Sequence, residues 1–171
     1  MKGTVEIDSR IGKGSVVLIT LPVRVDEAWG GEPSEEVWNV PDNIAGMRVL
    51  LVEDNEINCE IVDYILKDAG MEVVTADNGK VAVDVFAASE PWAFDCVLMD
   101  LMMPVMSGYE AARVIRGLDR ADAEAVPIIA LSANAFEEDV ALAKDAGMNA
   151  HLAKPVDFRK MFQVMSTLRG R

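Results

Sequence analysis

The chain has 171 residues, 51% of them apolar, a net charge of −13 and two cysteines. That length and apolar content supply a buried core and exclude disorder throughout, and the acidic balance argues against a surface that wraps nucleic-acid phosphates. No apolar run approaches the roughly 18 residues of a membrane span. The opening MKGTVEIDSR lacks the apolar segment of a secretory signal, and Cys59 and Cys96 show no CxxC or metal-ligand spacing, which reads as buried thiols in a reducing, cytoplasmic setting.

In chain order, residues 1–23 hold two strand-like runs, Thr4–Ile7 and Ser15–Leu21, joined by a turn with Gly12 and Gly14. Two strands alone are marginal in water, so this piece is expected to need a neighbour. Residues 24–45 are acidic, carry Gly30, Gly31, Pro33 and Pro41, and include Trp29 and Trp38. That composition reads as a linker. From Met47 the pattern changes to apolar runs of strand length, at Arg48–Val52, Glu72–Thr75, Phe94–Met99, Pro127–Leu131 and Asn149–Leu152. The runs are nearly continuous, as in strands covered on both faces.

Helical segments separate them. The first is capped by Asn55, ends at Gly70 and is expected to bury Ile57, Ile61, Tyr64 and Ile65. The second runs from about Asn78 to Ala88 with Val81, Ala82, Val85 and Phe86 inward, and the third starts near Ser107 with Tyr109, Ala112 and Ile115. The fourth carries Phe136, Val140 and Ala143 and stops at Gly147. The fifth is capped by Asp157 and shows Phe158, Met161, Phe162 and Met165. Five βα units over residues 46–169 predict an α/β fold, a doubly wound five-stranded parallel sheet with right-handed crossovers.

In such a sheet, function collects beyond the carboxyl ends of the strands. There the sequence places Glu53-Asp54 after the first strand, Asp77 after the second and Asp100 at the end of the third. Ser132-Ala133 follow the fourth and Lys154-Pro155 the fifth. Clustered carboxylates repel and raise one another's pKa unless a cation intervenes. Mg²⁺ suits such a set, since it takes one or two carboxylates plus waters and phosphate oxygens. Lys154 offers a point charge to a phosphoryl oxygen and Ser132 a hydroxyl donor. A carboxylate such as Asp100 can form an acyl phosphate. Taken singly, each of these residues is an ordinary helix cap or loop residue. The reading rests on their joint placement at the ends of separate strands.

The segments VLLVEDNEIN (49–58), DCVLMDLMMPVMSGYE (95–110), PIIALSANA (127–135) and GMNAHLAKPV (147–156) resemble the receiver domain of bacterial two-component response regulators. The resemblance covers residues 46–169 and implies a flavodoxin-like (βα)5 fold that takes a phosphoryl group from phosphohistidine. It implies Asp100 as phosphoacceptor, Asp54 as a direct Mg²⁺ ligand, Glu53 acting on the ion through water, and the backbone carbonyl of Met102 as a further ligand. Ser132 and Lys154 would bind the phosphoryl group, and the bond before Pro155 would be cis. The family's aromatic switch position falls on His151, the single histidine, which suggests a rotamer switch coupled to Ser132. Met102 and Asn134 fall where the family tunes the lifetime of the phosphoryl group.

Residues 3–23 resemble the last two strands of a histidine-kinase ATP-binding domain, without its ATP lid or its Mg²⁺-binding asparagine. The order of that remnant, linker and receiver is that of a hybrid sensor histidine kinase, whose parent chain can be membrane-anchored. The implied partners are the phosphohistidine-bearing dimerisation domain of the same protein and a histidine phosphotransfer protein. The chain itself holds no kinase machinery, and no nucleic-acid partner or membrane contact is expected. In this family copies also pair through the fourth helix, fifth strand and fifth helix. Two other readings compete. A haloacid-dehalogenase-type aspartyl-phosphate hydrolase needs a second Asp where Met102 stands. A flavodoxin-like cofactor binder needs a phosphate loop where Glu53-Asp54-Asn55-Glu56 stands.

Overall fold

Strands that are apolar at every position must be covered on both sides, and that requirement shapes the larger of two units in this computed structural model. The structure describes residues 3–10, 12, 14–22, 40–133 and 137–169, and the chain divides into Met1–Glu36 and Val37–Arg171. Trp29, Trp38, Asn134 and Phe136 lie outside the described residues.

In the first unit, β1 (Thr4–Arg10) pairs antiparallel with β2 (Gly14–Thr20). The cross-strand pairs Val5–Ile19 and Ile7–Val17 share one face of this ribbon, and all four side chains are exposed.

In the second unit, β3 (Arg48–Val52), β4 (Glu72–Ala76), β5 (Cys96–Asp100), β6 (Ile128–Ser132) and β7 (Ala150–Ala153) form a parallel sheet in the order β4-β3-β5-β6-β7. The intervening helices are α1 (Glu56–Asp68), α2 (Gly79–Ala88), α3 (Gly108–Arg116), α4 (Glu137–Asp145) and α5 (Phe158–Arg169). Alternate residues of the central strands feed two cores. Leu50, Val52, Val97, Met99, Ile128 and Ala130 pack with side chains of α2, α3 and α4. Val49, Leu51, Cys96, Leu98, Ile129 and Leu131 pack with α1 and α5. The order reverses at β3, so a crevice opens between the carboxyl ends of β3 and β5.

The helix starts follow capping chemistry. The Asn55 carboxamide accepts the Asn58 N–H, the Asn78 carboxamide accepts the Val81 N–H, and Ser107 with Glu110 forms a capping box. Three expectations are corrected. In α1 the inward residues are Val62, Ile65 and Leu66, whereas Ile57, Ile61 and Tyr64 are 67%, 50% and 70% exposed. The helix carries two apolar stripes of equal period, and the sheet takes only one. Val81 and Val140 likewise lie at the margin of their helices rather than inward. The packed unit also begins before residue 46. Asp42–Ile44 forms a 3-10 turn, Ile44 is sealed in the core, and the Asn43 side chain exchanges hydrogen bonds with Ser166 of α5. The Cys96 thiol is buried and its pKa is pushed up to about 12 by that burial, while Cys59 is only partly covered.

A buried ion pair fixes the long α3–β6 connection. Asp122 is fully buried, accepts from Arg120 at 2.6 and 2.9 Å, and accepts the Trp92 N–H at 2.7 Å. Arg120 also donates to the carbonyls of Phe86, Ser89 and Glu90 and stacks on the Phe86 ring. The hydrogen bonds from Arg120 hold the Asp122 carboxyl below the usual carboxylate range, against the opposing effect of burial. A carboxylate with a depressed folded pKa stabilises fully above its unfolded pKa of about 3.9 and loses that contribution as pH falls through the lower folded value. Asp122→Asn is therefore expected to destabilise the domain by roughly 2 kcal/mol near pH 7. The gap from wild type should stay constant down to about pH 5 and shrink below pH 4, as read by urea titration at each pH. A gap independent of pH would contradict this assignment.

Candidate functional site

Glu53 is the residue after β3, and it is 3% exposed. Its N–H donates to the Ala76 carbonyl at 3.0 Å, which turns the side chain over the sheet edge. One oxygen, Oε1, accepts from the Asn58 carboxamide at 3.1 Å, and the other, Oε2, accepts from Lys154 Nζ at 2.5 Å. A buried carboxylate is tolerable only when paired in this way. Asp54 follows and is exposed.

Asp100 ends β5 and is 6% exposed. The Met102 N–H donates to its Oδ1 at 3.1 Å, and Lys154 Nζ donates to its Oδ2 at 2.7 Å. The turn after it doubles back tightly. Gly108 donates its N–H to the Leu101 carbonyl, and a Cβ on Gly108 would stand 2.1 Å from the Asp100 carbonyl oxygen, so only glycine fits. Val105 in the same turn holds φ 68° and its side chain is 84% exposed, as is Met102's at 75%.

Lys154 comes from the loop after β7 and reaches both carboxylates, and its peptide bond to Pro155 is cis. Its backbone N–H donates to the Ser132 carbonyl at 2.7 Å, which ties the loop to the end of β6. Burial lowers the pKa of the ammonium, but the hydrogen bonds and charges of Asp100 and Glu53 outweigh it and hold the pKa above that of an ordinary lysine. Lys154 therefore carries a full positive charge here. Ser132 is buried one residue beyond the Asp100–Leu131 register pair, and its Oγ lies 2.7 Å from His151 Nε2 on β7.

Glu53, Asp54 and Asp100 each present a carboxylate oxygen within 4.8 Å of the others. Three negative charges against one ammonium leave a local charge of −2. Pairs of like charges about 4 Å apart repel by roughly 4 kcal/mol at a near-surface effective dielectric of about 20. This hard-oxygen set with an excess of two charges fits a divalent hard cation. The neighbouring cleft, lined by Glu56, Glu60, Asp63 and Asp77, extends the negative field.

The structure thus brings together Glu53, Asp54, Asp100 and Lys154, and separately pairs Ser132 with His151. Asp77, at the end of the edge strand β4, stands outside the carboxylate group and accepts from Asn78. Asn58, which fixes Glu53, escaped the sequence reading. Its only signal there was its place one turn into a helix that starts at the site.

Comparison with known proteins agrees with this arrangement. The family model described as response regulator receiver domain matches residues 49–166. The sensor protein GacS of Pseudomonas syringae is 39% identical over 124 residues, which is 72% of this chain but 13% of GacS. The chain spans only 7–13% of the length of GacS and the other histidine kinases at the head of the matches. Among solved structures, the receiver domain of the sensor histidine kinase PA1611 from Pseudomonas aeruginosa is similar at 36% identity and a TM-score of 0.67, over 74% of this chain and all of that one. It carries a magnesium ion in its active-site cleft. The co-crystal structure of the Saccharomyces cerevisiae histidine phosphotransfer protein Ypd1 with the receiver domain of its regulator Ssk1 matches at 30% identity and a TM-score of 0.65, over 74% of this chain and 90% of that one. With its five-stranded sheet, its helices on both faces and this carboxylate cluster at the reversal point, the chain belongs to the response-regulator receiver family and carries that family's phosphoacceptor function in two-component signalling.

Proposed function

We propose that Asp100 accepts a phosphoryl group from a phosphohistidine, with Asp100 and Asp54 as direct Mg²⁺ ligands, Glu53 acting through water and the Met102 carbonyl completing the protein's share. The observation that carries this reading is Lys154. Its ammonium already rests on Asp100 and Glu53 beside the open Asp54. An Asp100 oxygen bonds to phosphorus while the bond from phosphorus to the imidazole nitrogen breaks, and the electron pair leaves on the imidazole. Mg²⁺ held by Asp54, Asp100 and the Met102 carbonyl would offset the charge on the phosphoryl oxygens. Lys154 follows the charge from the carboxylate to the phosphoryl group, and Ser132 supplies a hydroxyl donor. His151, bonded to Ser132, couples that hydroxyl to β7. The hydrolase reading fits less well, since Met102 stands where a second acid would be needed.

The setting we infer is a hybrid histidine kinase. The segment 3–23 resembles the end of a kinase ATP-binding domain, and the matched relatives include histidine kinases of which the matched stretch is a small part. The phosphoryl group then comes from the parent's own phosphohistidine, and it regulates that kinase or passes to a phosphotransfer protein. The exposed stripe Ile57, Ile61 and Tyr64 supports such docking. It adjoins a groove lined by Val62, Pro155, Val156 and Phe158 that reaches Lys154, and the similar Ssk1 receiver was crystallised with Ypd1.

Incubation with Mg²⁺ and acetyl phosphate is expected to add one phosphoryl group by intact mass, and Asp100→Asn to abolish it. Equal labelling of that variant would sink the proposal. Lys154→Ala is expected to cost roughly 3 kcal/mol without divalent ions, because it leaves two buried carboxylates uncompensated. Millimolar Mg²⁺ should then raise the melting temperature of the variant more than that of wild type, and an equal rise would contradict the shared site. Ile61→Arg is expected to slow phosphoryl uptake from a phosphorylated histidine phosphotransfer protein about tenfold or more. Its labelling by acetyl phosphate should not change, so slowing of both reactions would place Ile61 in the chemistry instead.

A further inference from the structure

Each of the two buried carboxylates on the rim has one oxygen on Lys154 and the other on a neutral N–H of the protein. For Asp100 that N–H is main chain: Met102 donates to Oδ1 at 3.1 Å, while Lys154 Nζ donates to Oδ2 at 2.7 Å. For Glu53 it is a side chain: the Asn58 carboxamide donates to Oε1 at 3.1 Å, while Lys154 Nζ donates to Oε2 at 2.5 Å. Asn58 stands in the first turn of α1, where its own N–H donates to the Asn55 carboxamide at 3.0 Å. Glu53 is also fixed at its backbone, through the N–H it donates to the Ala76 carbonyl. A glutamate held at its backbone and at one carboxylate oxygen presents a single oxygen to the crevice. Hard cations differ in how many oxygens they gather. Ca²⁺ takes about six to eight, often both from one carboxylate, whereas Mg²⁺ keeps several waters and takes one or two carboxylates in a tight octahedron.

We propose that Asn58 is a positioning residue that sets the cation preference of the site: by holding Oε1 of Glu53 it keeps that carboxylate from closing on an ion with both oxygens, and so favours Mg²⁺ over Ca²⁺. The inference rests on the reading of Glu53, Asp54 and Asp100 as the cation site. A Mg²⁺ ion that meets Glu53 through water leaves the Asn58 hydrogen bond intact. A Ca²⁺ ion gathers the second oxygen of Glu53 only by breaking it. A leucine at position 58 has nearly the shape of asparagine and no N–H to give, so Glu53 is then free to turn both oxygens inward. The corresponding hold on Asp100 is a backbone N–H and stays in place.

The test titrates the full, unphosphorylated chain with Mg²⁺ and separately with Ca²⁺, following the amide resonances of Glu53, Asp54 and Asp100. Asn58→Leu is expected to shift the ratio of the two dissociation constants toward Ca²⁺ about tenfold, the equivalent of one hydrogen bond to a charged group. Its Mg²⁺ affinity should stay close to that of wild type. Asn58→Ala should shift the ratio in the same direction by less, since water can enter the vacated space and donate to Oε1. In a Glu53→Gln background neither substitution should move the ratio, because an amide cannot chelate with two oxygens. That arm separates the hold on Glu53 from a general effect on α1. An unchanged ratio in Asn58→Leu would overturn the proposal, as would an equal shift in the Glu53→Gln background. Should Asn58→Leu misfold, an unchanged ratio in Asn58→Ala overturns it instead. No response of these amides to either cation in wild type, or an undiminished response in Asp54→Ala, would overturn the cation site itself and the role of Asn58 with it.

Discussion

One ammonium group, Nζ of Lys154, lies between two carboxylates that the fold buries beside each other. Without it, Glu53 and Asp100 would be two like charges in a low-dielectric crevice with no counter-charge between them. With it, both have a cationic partner, and the crevice retains an excess of two negative charges once Asp54 is included. That excess suits a divalent cation.

The architecture exists to bring these three residues within reach. Glu53 follows β3, Asp100 ends β5 and Lys154 follows β7, places far apart in sequence and adjacent only because the parallel sheet puts every carboxyl end on one rim. The two cores hold that rim in place. Alternate side chains of β3, β5 and β6 are committed to opposite faces, so a one-residue slip would send each of them into the wrong core. The rim has no such alternation to protect it. It depends instead on specific hydrogen bonds, such as Asn58 to Glu53 and the Lys154 N–H to the Ser132 carbonyl.

Much of this is legible in the sequence because the relevant signals are local. Apolar runs of strand length, Asn and Ser caps and glycine stops place the elements, and the acids at strand ends follow from the strands. What remains hidden is whatever depends on a choice between equal alternatives or on a distant partner. Helix α1 carries two apolar stripes with one period, and nothing in its own residues says which the sheet will cover. Asn58 looks like any polar residue near a helix start until Glu53 turns back over it. Ile44 reads as linker because its burial comes from α5, more than a hundred residues later in the chain.

The crowding at Gly108 has a mechanical consequence. A turn with no spare volume between the Asp100 carbonyl and the first residue of α3 cannot absorb a shift by local compression. The neighbouring contact is nearly as close, since Gly79 at the start of α2 donates to the Met106 carbonyl and a Cβ there would stand 2.6 Å from it. Two glycines thus act as bearings on which the β5–α3 turn is seated. The backbone at Asp100 is thus in direct contact with the leading end of α3, and the turn after it with the leading end of α2.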